Sequence, residues 1–212
     1  MPPVRVIAID GPAGSGKSTI ARHLALQLGV AYLDTGAMYR AVAFAALRRG
    51  VDPGEVDLVA GLVRDLELDV GLDAVVVDGV DATIEIRGPE VTRAVSAVAA
   101  NPAVRTELVR RQREWVEARG GAVVEGRDIG TVVFPEAELK AYLTARLDVR
   151  AGRRHQEVSD LDYESVAADM ARRDTVDTQR DADPLQQAGD AVLIDTSDRS
   201  IDEIVADLLS RL

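Results

Sequence analysis

The chain contains no cysteine among its 212 residues. That excludes disulfides, thiolate catalysis and cysteine-ligated metals, and it suits a reducing compartment such as the cytoplasm. His23 and His155 are the only histidines, so no His/Cys metal constellation exists either. Aromatic residues make up 3%, which leaves the core to Ala, Val, Leu and Ile. No apolar run approaches the roughly 18–20 residues that span a bilayer, and no signal-peptide pattern opens the chain, so no membrane association is expected. Positive charge is short as well. The net charge of −11 argues against binding a nucleic-acid polymer, which needs lysine and arginine in excess to displace counterions. Only Lys17 and Lys140 are lysines. The positions of individual arginines therefore matter more than their total.

The remaining composition, 47% hydrophobic and 29% charged, is that of an ordinary globular protein, and the length fits one domain with small insertions. The apolar run Val6-Ile7-Ala8-Ile9 reads as a buried parallel strand. It breaks into Gly11-Pro12-Ala13-Gly14-Ser15-Gly16-Lys17-Ser18-Thr19, and a helical pattern begins near Lys17. Strand, GxxxxGK[ST] and helix together are the context of a phosphate-binding P-loop. In such a loop, backbone N–H groups curl around phosphate oxygens at the positive end of a helix. Lys17 would reach the β- and γ-phosphates of ATP, and the Ser18 hydroxyl would help hold the Mg²⁺ that arrives with it. The alternative is a glycine-rich βα turn without a ligand. Asp10, just before the loop, either orients the loop or Mg²⁺, or satisfies backbone donors.

Ile20, Leu24 and Leu28 put one apolar face on a helix from Lys17 to Leu28, closed by Gly29. A short strand over 30–33, a helix over about 37–49, a turn at Asp52-Pro53-Gly54 and a helix over about 56–66 follow. The pattern then shifts to short β-like runs at 68–70, 74–77 and 83–86, with Asp78-Gly79 as a hairpin signal. This is either a small antiparallel insert or an antiparallel edge of the main sheet. Asn101-Pro102 opens a helix that ends before Gly120-Gly121. Strands are expected over 122–124, 139–143 and 191–194, and Ser200 with Glu203 makes a capping box for a terminal helix. The fold class is therefore α/β: an open, mainly parallel sheet with helices on both faces and ligands at the carboxyl ends of the strands.

Those carboxyl ends run into polar clusters: the P-loop, Asp34–Arg40, and Glu125-Gly126-Arg127-Asp128-Ile129-Gly130. An acceptor that carries its own phosphate needs cations to lower the repulsion between two anions. Arg40 and Arg127 are placed for that, since guanidinium binds phosphate bidentately; their alternative is a salt bridge to a nearby carboxylate. Arg150, Arg153 and Arg154 share one helical face that could meet a polyphosphate. The alternative there is a solvated face paired with Asp148 and Glu157. Neither histidine is needed for the chemistry.

Taken together, Ile9–Thr19, Leu33–Arg40, Ser96–Ala99 with Pro102–Arg105, Gly126–Pro135, and Arg173-Asp174 through Asp177 and Arg180 to Pro184-Leu185 resemble the bacterial cytidylate kinases in content and order. The resemblance implies a single P-loop kinase domain over 1–212. Its core would cover about 1–66 and 93–212, with a monophosphate-binding insert at about 67–92 and a mobile lid at about 150–168 carrying Arg150, Arg153 and Arg154. It implies transfer of the ATP γ-phosphate to CMP or dCMP by a cytoplasmic monomer. Ser96, Arg105 and Asp128 would recognise cytosine, a role that fits a carboxylate accepting from the exocyclic amine. Arg173 and Asp177 would contact the sugar, and Arg40, Arg127 and Arg180 the acceptor phosphate, with Thr35 and Tyr39 lining the pocket. Lys17, Arg40, Arg127, Arg154 and Arg180 would act on the phosphoryl group in transit. Two other readings stand beside this one. The first is a P-loop kinase for another small acceptor, such as another nucleotide, shikimate or gluconate. The second is a non-catalytic nucleotide switch, against which the guanine-reading Asn/Thr-Lys-x-Asp motif is absent.

Overall fold

The computed structural model describes residues 4–157 and 162–212. In chain order its elements are β1 (Arg5–Asp10), α1 (Lys17–Leu28), β2 (Ala31–Asp34), α2 (Thr35–Arg48), α3 (Val56–Asp65), β3 (Leu68–Val70), β4 (Val75–Val77) and β5 (Val80–Asp81). There follow α4 (Pro89–Ala100), α5 (Pro102–Glu117), β6 (Gly121–Gly126), β7 (Leu139–Thr144), α6 (Leu147–Glu157), α7 (Tyr163–Gln179), β8 (Val192–Asp195) and α8 (Ile201–Leu209). They form two compact units, residues 1–32 with 119–212 and residues 33–118.

The first unit is built on a five-stranded sheet of order β2-β6-β1-β7-β8. β1 pairs in parallel with β6 on one side and β7 on the other, and β7 pairs in parallel with β8. β6 is buried along its whole length and β1 almost so, which is why both read as continuous apolar runs. Ile7, Ile9, Leu24, Leu143, Ile204 and Leu208 join strands to α1 and α8 in one core. Burying each of these side chains fully contributes about 2 kcal/mol. The chain crosses from β1 to β2 on one flank and later to β7 and β8 on the other, so the strand order reverses at the carboxyl end of β1. That is where this architecture places ligands.

The second unit packs α2 to α5 with a separate three-stranded antiparallel sheet, β3-β4-β5. The antiparallel strands are therefore a sheet of their own and not an edge of the main one. Asp78 and Gly79 both have positive φ, as a two-residue hairpin requires. That tight turn makes Val80–Asp81 the return strand. Residues 83–86, expected as a strand, instead turn away. Asp81 accepts from the Thr83 N–H, the Thr83 hydroxyl accepts from the Val75 N–H, and a 3-10 turn follows at Glu85–Arg87. α2 starts two residues earlier than expected because the Asp34 carboxylate accepts from the Ala37 N–H as its cap. Asn101 caps α5 through Ala103 and Val104 and also donates to Val56 O at 2.8 Å.

Candidate active site

The P-loop lies between β1 and α1, and its backbone demands glycine. At Gly11, with φ of 146°, a Cβ would sit 2.0 Å from the Leu143 carbonyl oxygen on the neighbouring strand. Gly14 and Gly16 hold φ of 72° and 87°, the left-handed region that curls the loop. Lys17 is 6% exposed, and its Nζ donates to Pro12 O at 2.8 Å, folding the amine back over the loop. Ser18 and Thr19 are exposed in the first turn of α1, and Ser15 is fully buried.

Asp10 ends β1 with its carboxylate split between two donors, Ile129 N–H and Gly130 N–H, each at 2.8 Å. The second of the two uses anticipated for Asp10, satisfying backbone donors, is the one in place. Burial pushes its carboxyl up to about 6 against the pull of those two bonds, with the neighbouring Asp128 adding to the rise. The clasp fixes the turn that follows β6, a π-type turn over Ile129–Val133, and so the two residues before it, Arg127 and Asp128. Gly130 lies against the stem of Lys140, whose amine pairs with Asp190 at 2.8 Å.

Beside this turn the first unit gathers its arginines. Arg127 pairs with Asp177 at 2.8 Å, and Arg180 stands 3.7 Å from Asp128 and donates to Asp183 O. Arg173 is half-buried on α7. Burial lowers its pKa, and the like charges of Arg127 and Arg154 lower it further, opposed by Asp177 and Asp169. The charges of Arg127 and Arg154 are thus both felt at Arg173. Tyr142, the register neighbour of Asp10 on β7, stays protonated because burial raises its phenol. It escaped the sequence reading because an aromatic residue in a strand looks like core.

Arg150 and Arg153 on α6 face the P-loop. Arg150 donates to Ala13 O at 3.1 Å and Ala145 O at 3.0 Å, and pairs with Asp174. Arg153 donates to Gly14 O and twice to Thr196. Neither pairs with Asp148, which lies 3.7 Å from Arg146. Residues 158–161 of the expected lid, and the Glu157 side chain, lie outside the described residues. Thr196 was not foreseen. The signal was present, since it follows β8 just as the other polar clusters follow their strands.

In the second unit, Thr35 and Tyr39 are buried on α2. Arg40 donates to Ile86 O at 3.0 Å and to the Thr92 hydroxyl at 2.9 Å. Arg105 is 2% exposed, stacks its guanidinium on the Tyr39 ring at 5.6 Å and donates to Ala99 O. Ser96 is half-buried on α4, a helix that begins within the expected insert and was not delimited from the sequence. His23 is exposed, and His155 packs edge-on against Tyr163. No group of three acidic or histidine side chains converges among the described residues. No helix among them is long and apolar enough to cross a membrane.

Known proteins resemble this chain in fold and in sequence. Among solved structures, a gluconokinase from Sinorhizobium meliloti is similar at a TM-score of 0.51 with 15% identity, over 98% of this chain and 91% of its own. An uncharacterized protein from Eubacterium ventriosum is similar at 0.53 with 12% identity, over 97% and 96%. At such identities the likeness is one of fold. In sequence, a cytidylate kinase from Nocardia farcinica is 49% identical over 98% of this chain and 92% of its own length. One from Mycobacterium leprae is 48% identical over 96% and 93%. The model of the cytidylate kinase family matches residues 7–212, from β1 through the P-loop, the Asp10-clasped turn and the arginine-bearing helices to the last residue. On that match the chain belongs to the cytidylate kinase family.

Proposed function

We propose that this protein transfers the γ-phosphoryl group of ATP to CMP or dCMP, with the P-loop as donor site and the arginines beside the Asp10-clasped turn receiving the acceptor phosphate. The observation that carries the acceptor half is the placement of Arg127 and Arg180 beside the Asp10-clasped turn, 2.8 Å from Asp177 and 3.7 Å from Asp128, with Arg173 close enough to feel the Arg127 charge. Guanidiniums gathered there suit a phosphate, which would take them in place of carboxylates such as Asp177. Arg180, close to Asp128, extends that site toward the residue assigned to the base. The second unit supplies Thr35, Tyr39, Arg40, Ser96 and Arg105 to CMP recognition. Of these, Arg105 is restrained by its contact with the Tyr39 ring and its bond to Ala99 O, which would hold its guanidinium ready for the base.

Transfer of this kind depends on in-line positioning and neutralisation of charge. Lys17, freed from Pro12 O by a phosphate that outcompetes a carbonyl, follows the transferred group, and the arginines offset the acceptor's charge. A phosphate monoester with a second pKa of about 6 is already ionised at neutral pH, so no general base is needed. The exposed Ser18 hydroxyl would help hold a Mg²⁺ ion brought in by ATP, whose charge would offset that of the phosphates. The enzyme would act as a monomer in the cytoplasm.

A coupled assay across the nucleoside monophosphates at fixed ATP tests the reading. CMP and dCMP are expected to be the preferred acceptors, and equal turnover of AMP, GMP, shikimate or gluconate would refute it. Lys17→Met should lower kcat about 100-fold or more at unchanged fold. Asp128→Asn should raise KM for CMP more than KM for ATP.

A further inference from the structure

A P-loop uses each of its peptide units in two directions. Its N–H groups must face phosphate, so the carbonyls of the same units face the protein, where each needs a donor. All peptide bonds of the loop are trans, so the C=O of one residue and the N–H of the next point opposite ways. Three successive carbonyls are met from behind. Ala13 O accepts from Arg150 Nη1 at 3.1 Å, Gly14 O from Arg153 Nη1 at 3.4 Å, and Ser15 O from Thr196 Oγ1 at 2.9 Å. These bonds aim the N–H groups of Gly14, Ser15 and Gly16 to the other side. No protein acceptor takes those three N–H groups among the described residues.

Thr196 is central to this arrangement. It is 1% exposed, and its own N–H is tied to Thr144 O at 2.8 Å, which anchors it to the end of β7. Its hydroxyl gives its proton to Ser15 O and takes one from Arg153 Nη1 at 3.0 Å, while its carbonyl takes Arg153 Nη2 at 2.7 Å. The same oxygen atom therefore holds one P-loop peptide directly and the preceding one through Arg153. A β-branched side chain without a hydroxyl would fill the space and do neither.

We propose that Thr196 is a positioning residue for the phosphoryl donor: its hydroxyl, with Arg153, sets the peptide planes that present Ser15 N–H and Gly16 N–H to the phosphates of ATP. This rests on the reading of Gly11–Thr19 as the donor site. Arg150 and Arg153, expected as direct ATP contacts, then act on ATP through the loop's backbone.

The test varies ATP and CMP separately in steady-state kinetics of the full chain. Thr196→Val is expected to raise KM for ATP about tenfold and to lower kcat, with KM for CMP within about twofold of the parent. Thr196→Ser, which keeps the hydroxyl, should restore both. An unchanged valine variant, a serine variant as impaired as valine, or equal rises in both KM values would overturn the proposal. Should valine fail to fold, Thr196→Cys offers similar volume and a weaker donor. It should show a smaller ATP-selective rise, and a parental KM for ATP there would also overturn the proposal. Lys17→Met separates the two levels. Parental kinetics in that variant refute the donor-site reading itself, whereas an inactive Lys17→Met beside a normal Thr196→Val refutes only the role of Thr196.

Discussion

At Asp10 a buried carboxylate divides itself between two backbone N–H groups, and its energetics follow from what each neighbour does to its charge. Burial favours the protonated form and lifts the carboxyl up to about 6, with Asp128 pushing the same way. The Ile129 and Gly130 N–H bonds and the nearby Lys17 favour the charged form. Because the folded pKa lies above the unfolded one, the stability linked to the proton is present below about pH 4. It is lost as pH rises through about 6, on the order of 3 kcal/mol in all. Urea unfolding between pH 4 and 7 should therefore show the parent losing stability relative to Asp10→Asn as pH rises. The opposite slope would mean that the two N–H bonds outweigh burial. The residue scale also shows why single positions were partly legible. A lysine after a glycine-rich loop declares its chemistry by type. Asp10 left two uses open because its partners, Ile129 and Gly130, are distant in the chain and only the sheet brings them near.

Elements with a local signature were the readable ones. α1 begins at Lys17 and closes at Gly29 in the left-handed conformation, and the terminal helix carries its Ser200–Glu203 box, both as the residues dictate. Where tertiary contacts decide, the reading failed. Residues 83–86 are apolar enough for a strand, yet the two-residue turn at Asp78-Gly79 spends the pairing on Val80–Asp81. α4 was not delimited because its buried positions, Val91, Val95 and Val98, are β-branched and carry weak helix propensity. α5 was found through its cap, and the cap does more than its sequence announced. Asn101 accepts from two N–H groups of α5 and donates to the Val56 carbonyl at the start of α3. Asn101→Ala should therefore cost about 2 kcal/mol by chemical denaturation, against about 1 kcal/mol for Ser200→Ala, whose cap serves α8 alone. Equal losses would mean that the bond to Val56 contributes nothing.

Across the whole molecule, an acidic chain sets several half-buried arginines beside one turn. Arg127 and Arg154 both act on Arg173 as like charges, so an anion should stabilise the protein beyond its general effect as a salt. Millimolar inorganic phosphate is expected to raise Tm by about 3 °C or more, and Arg173→Gln should remove most of that gain. In phosphate-free buffer the same variant should be no less stable than the parent, because it relieves repulsion. A lower Tm there would show that Arg173 is held by its carboxylate partners, Asp177 and Asp169, and not kept for a ligand. The scarcity of lysine has a different consequence. Both side-chain amines are sequestered, Lys17 over Pro12 and Lys140 against Asp190, at 6% and 8% exposure. An acylating reagent meets neither until its surroundings open. The two positions become a built-in pair of reporters, one timing the opening of the nucleotide loop and the other that of the sheet behind it, read side by side in one mass spectrum.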